Sequence, residues 1–126
     1  MNVWFVLAGI LAFAVCLTHI FLGGKEAARP LLESLELRPI PKYTNYYCWH
    51  MVSIVIAVLG GMLMIAAYFP SAFELAWTAT LLALSFSFWN ISLYFLKRNE
   101  LRRWFELPQW LLFLPVWVFG FVGLLS

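Results

Sequence analysis

Four stretches of this chain are each long and apolar enough to cross a lipid bilayer, and that leaves few folds open to it. They cover residues 2–22, 47–69, 72–96 and 108–125, and a helix needs roughly 20 residues to span the hydrocarbon. With no water in that layer, every backbone N–H and C=O must find a partner inside the protein, which only helices and closed barrels achieve. The runs are continuous rather than alternating, so helices are expected. Composition agrees: 64% of the residues are hydrophobic and 11% charged, against about 45–50% and about 25% in soluble domains. The expected fold is an all-α membrane protein, with four transmembrane helices in an up-down antiparallel bundle and a single domain over residues 1–126.

The first run has neither a basic leading segment nor a small-residue cleavage site, and the stretch "FAVC" lacks the small residue expected before a lipid-modified cysteine, so it reads as a retained span. Orientation follows from the basic residues. Lys25, Arg29, Arg38 and Lys42 fall in loop 23–46, and Lys97, Arg98, Arg102 and Arg103 in loop 97–107. These eight are all the lysines and arginines in the chain. The positive-inside rule therefore makes both loops cytoplasmic and both termini extracytoplasmic, which in a bacterial inner membrane means periplasmic. A net charge of +2 is too weak to suggest nucleic acid as a partner. The lipid bilayer is the expected one, joined by another membrane protein or a second copy of the chain.

Both basic loops carry some order of their own. "KEAARPLLESLEL" reads as a short interfacial amphipathic helix, with Pro30 in its first turn and Pro39 and Pro41 ending it. "KRNELRRWFELP" sets Arg102 four residues before Glu106, with Trp104 and Phe105 suited to lie against headgroups. In "SAFE", Ser71 and Glu74 match a capping box at the start of the third helix. Pro115 interrupts the hydrogen bonding of the fourth helix, so a kink is expected there. The sequon at Asn90 lies inside a span and is unusable.

Membrane bundles pack through small residues and occasional polar contacts. At helical spacing, the inward stripes read as Gly9, Ala12, Cys16, His19; then His50, Ser53, Ala57, Gly60 or Gly61, Met64. The third helix gives Ala76, Thr80, Ala83, Ser87, Asn90, Tyr94, and the fourth Gln109, Phe113, Val116, Gly120, Gly123. His19, His50, Asn90 and Gln109 all fall toward the cytoplasmic side, one per helix and at similar depth. With Ser53 and Tyr94 they form the candidate polar cluster.

Several functions fit such a cluster. Packing alone makes the chain a non-catalytic accessory or assembly subunit. Two histidines on neighbouring antiparallel helices suggest haem b or a single metal ion held by His19 and His50, in a redox or ligand-binding protein. Cys48 and His50 are two residues apart and cannot share a helical face, which disfavours a four-ligand Cys/His zinc site. A small-solute or proton transporter would have to rely on the same histidines, because no carboxylate lies deep in a span. A quinone-type pocket open to the cytoplasmic leaflet is a further reading. The sequence carries no G-x-S-x-G, H-E-x-x-H, C-x-x-C or phosphate-binding glycine loop, and a nucleophilic Cys16–His19 pair would need an activated thiolate in a low-dielectric place. The balance leans away from an enzyme.

Overall fold

The computed structural model describes residues 1–100, 103 and 106–126. Among these the regular structure is all helical, with no strand. Helix α1 spans Val3–Thr18 and continues without a break through a π-helical segment, His19–Ala28, into α2, Arg29–Glu33. Helix α3 spans Pro39–Tyr68, a 3-10 turn covers Pro70–Ala72, and α4 and α5 span Phe73–Leu96 and Gln109–Leu125. Three helical rods, Val3–Glu33, Pro39–Tyr68 and Pro70–Leu96, are long and apolar enough to cross a membrane, and α5 is a shorter apolar helix of 17 residues.

The first two rods are longer than the apolar runs that define them. Val3–Glu33 has 31 residues and α3 has 30, each on the order of 45 Å of helix. The expected loop 23–46 therefore shrinks to the link 34–38, and the anticipated interfacial helix is the end of the first rod. Prolines explain both differences. The π register ends where the Arg29 N–H reaches the Gly24 carbonyl, five residues back, immediately before Pro30; the wider turn eases the clash of a proline ring with the preceding turn. Pro39 and Pro41 open α3 instead of closing the segment before it, because a first turn needs no N–H from them. Lys42 then donates to the Leu32 carbonyl at 3.2 Å, clipping the hairpin shut.

At the other end of the bundle, one residue joins three helices. Asn2 has extended backbone, and its Oδ1 caps α1 by accepting from the N–H groups of Trp4 and Phe5. Its Nδ2 donates to the Gly123 carbonyl of α5 at 2.8 Å, and its backbone N–H to the Ala67 carbonyl of α3 at 2.8 Å. The expected capping box at the start of α4 does not form: the 3-10 turn sets the helix start at Phe73, and the preceding Ala72 supplies no side-chain cap. Helix α5 continues through Pro115 as one helix.

Helix α1 packs against α3 and α5, α4 packs against α5 and more lightly against α3, and the four close into a ring. The inward faces of α1, α4 and α5 are built from small residues, as expected: Ala8, Gly9 and Ala12; Ala76, Ala79, Thr80 and Ala83; Val116, Gly120 and Gly123. The α3 face is turned from the expected stripe. Ile56, Leu59, Gly60 and Leu63 are its buried residues, while Ser53, Ala57 and Met64 are only half-buried and the Cβ position of Gly61 faces open space. The reason is complementarity: large aliphatics from α3 fill the space left by the alanines of α1, and two small faces would have left a void.

Two glycines mark close approaches. A Cβ on Gly120 would lie 2.5 Å from Thr80 Oγ1, and one on Gly123 would lie 2.5 Å from the Phe5 ring. Loop 97–107 is described only in part, so the expected Arg102–Glu106 spacing and the headgroup placement of Trp104 and Phe105 lie outside the described residues.

Candidate functional site

Of the four polar residues expected at one depth, Asn90 and Gln109 meet between α4 and α5, His19 bonds α3 at the opposite interface of the ring, and His50 stands apart. Between α4 and α5, the buried Asn90 donates from Nδ2 to Gln109 Oε1 at 3.1 Å, and its Oδ1 accepts from the backbone N–H of Trp110 at 3.2 Å. Pro108, at the N-cap position of α5, offers no side-chain cap. Asn90 supplies that cap from the neighbouring helix, satisfying an otherwise orphaned first-turn N–H. Gln109 is exposed apart from this bond, and Tyr94 is half-buried one turn farther along α4.

Between α1 and α3, the Trp49 carbonyl is the focus. Ser53 Oγ donates to it at 3.3 Å, and His19 Nε2 lies 3.3 Å away. A carbonyl only accepts, so Nε2 carries the proton of a neutral His19 and Nδ1 is left as the acceptor. The Trp49 indole stacks on the His19 ring, with centroids 3.9 Å apart and planes at 18°. Gly23, four residues after His19, makes room for that indole: a Cβ there would lie 2.8 Å from it. Cys16 completes this joint by donating its thiol to the Ser53 carbonyl at 3.4 Å.

His50 is exposed and belongs to neither joint. Its ring meets Tyr46 edge-on, at 4.5 Å between centroids and 89°. One step along α3 from Trp49 is about 100° around the helix, so the two side chains leave in different directions. His50 lines an open groove of about 320 Å³ between α3 and the π-helical segment, a groove that His19 does not line. The geometry does not suit a bis-histidine haem: His19 has one ring face covered by indole and its Nε2 bonded, and the two imidazoles do not share a cavity. Among the described residues, no three His, Cys, Asp or Glu side chains group to hold a metal ion. Cys16 and His19 each bond a carbonyl of α3, an arrangement that does not activate a thiol.

Comparison with protein families, with curated proteins and with solved structures finds no match. The site therefore has to be read from its own chemistry.

Three contributors were not singled out from sequence. Asn2 was legible in principle, as an asparagine directly before an apolar helical run. Trp49 reads as an interfacial anchor, and nothing in its spacing announces that it would stack on a histidine. Gly23 carries no signal without knowing which ring it faces.

Proposed function

We propose that this chain is a non-catalytic accessory or assembly subunit of the bacterial inner membrane, with segments 23–46 and 97–107 on the cytoplasmic side and both ends of the chain in the periplasm. The supporting observation is how the polar side chains between helices are used. Asn90 and Gln109 join α4 to α5, and Cys16 and His19 bond the α3 carbonyls of Ser53 and Trp49 at the α1–α3 joint. Groups engaged in this way hold a bundle in register and are not left free for chemistry. The middle of the bundle is filled by Ile56, Leu59, Leu63 and Val116, each at most 1% exposed, which disfavours a solute path. The partner is another membrane protein or a second copy, meeting the broad apolar outer faces that lipid otherwise covers.

The test is gentle detergent extraction of the chain at its native level, followed by native electrophoresis and in-cell crosslinking from positions on α3 and α4. An accessory subunit migrates in an assembly of defined mass and crosslinks to one membrane protein or to itself. Purified chain that carries stoichiometric iron, copper or zinc lost in a His19→Ala or His50→Ala variant, or that moves a solute in proteoliposomes, overturns this reading.

A further inference from the structure

We propose that the groove between the π-helical segment and α3 binds the phosphate-bearing headgroup of an anionic phospholipid from the cytoplasmic leaflet. The groove has a mostly apolar lining, from Ile20, Ala28, Leu32 and Trp49 beside Gly24 and Ser53, and a polar rim. A Cβ at Gly24 would enter open space. On the rim stand Arg29, Tyr46 and His50.

These rim groups differ from the polar side chains at the helix joints in having donors to spare. Arg29 engages Glu33 Oε1 through Nε alone, at 2.8 Å. Its two terminal nitrogens make no hydrogen bond among the described residues, and neither does the Tyr46 hydroxyl or either ring nitrogen of His50. A guanidinium, an imidazole N–H and a phenol converging on one concavity make a donor set for phosphate oxygens, with the guanidinium fork matching them in two places. The same chemistry is offered to free phosphate, and placement favours the lipid. The groove sits where the first apolar run gives way to charge, between Ile20 and Arg29. Tyr43, Tyr47 and Trp49 on α3 occupy the same stretch, as an aromatic belt does at headgroup level. Its volume, at the small end of the roughly 300–1,000 Å³ typical of ligand pockets, suits a headgroup whose acyl chains remain in the bilayer.

The experiment is native mass spectrometry of the full chain released from detergent, titrated with phosphatidylglycerol, with phosphatidylcholine and with inorganic phosphate. One phosphatidylglycerol is expected to be retained in preference to phosphatidylcholine. Arg29→Gln should weaken that retention by about five-fold, the worth of one basic contact at a membrane surface, and His50→Phe should weaken it in the same direction. Gly24→Leu fills the groove while leaving every charge in place, so it should abolish the preference. Arg38→Gln, on the same hairpin but off the groove, should leave it unchanged. Equal loss in Arg38→Gln, or full retention in both Arg29→Gln and Gly24→Leu, overturns the proposal in favour of diffuse surface charge. Saturable phosphate binding that displaces the lipid overturns the lipid as occupant. Far-UV circular dichroism of each variant, matching the parent chain, establishes that the comparison is between folded proteins.

Discussion

Asn2 and Asn90 show how much one amide can do where backbone ends must be satisfied. The Asn2 side chain caps α1 and bonds α5 in the same stroke, so Asn2→Ala, which keeps the backbone bond to α3, should cost about 1–2 kcal/mol, the upper range for a lost cap. Thermal unfolding in detergent, followed by circular dichroism, reads this directly; an unchanged midpoint would show the joint to be idle. Asn90→Leu removes two bonds between α4 and α5, to the Trp110 N–H and to Gln109, whereas Gln109→Leu removes only one. The first should be the more destabilising by about 1 kcal/mol, the worth of one further hydrogen bond. Such residues were partly legible in the sequence. A histidine or asparagine near the end of an apolar run gives its depth from simple counting. Its direction around the helix depends on packing, which is why four residues at one depth resolve into separate joints and a free imidazole.

At the scale of elements, the α4–α5 contact rests on the missing side chain of Gly120. Gly120→Ala would push a methyl group into Thr80 and should cost roughly 1–3 kcal/mol by overpacking. Among the described residues Thr80 Oγ1 has no hydrogen-bond partner although it is buried, so Thr80→Ala should be close to neutral on its own and should restore part of what Gly120→Ala loses. A double-mutant cycle of unfolding free energies measures that coupling; strict additivity would mean that the two residues do not meet. The stripes of α1, α4 and α5 could be read from sequence because small residues mark them. The α3 stripe could not be read by the same rule, since its role is to fill the space that α1 leaves. The length of the first two rods was hidden for a different reason: a proline pair closes one helix or opens the next with the same residues, and a π register leaves no mark in residue order.

For the whole molecule, the uneven distribution of lysine and arginine predicts topology. In a chain with Cys48 replaced by serine, a cysteine introduced at Ser34 should react with a membrane-impermeant maleimide only in inside-out vesicles, and one at Ser71 only in intact spheroplasts. The opposite pattern would invert the bundle and move the headgroup groove to the other leaflet. The four apolar helices were the most legible part of this fold, because the runs are separated by short or strongly charged segments; three of them are long and apolar enough to cross a membrane.

The helices are also unequal in height. Helix α5, at 17 residues, covers about 26 Å, while the apolar runs of the other three helices, 21 to 25 residues, reach about 31–38 Å. In the proposed membrane placement the bilayer is thinner along the α5 flank than along the other, or the bundle leans until the two sides even out. Either response stores elastic energy, a fraction of a kcal/mol for each ångström of mismatch. Two copies that set their short flanks together would share a single dimple in place of two, giving the membrane itself a reason to gather them.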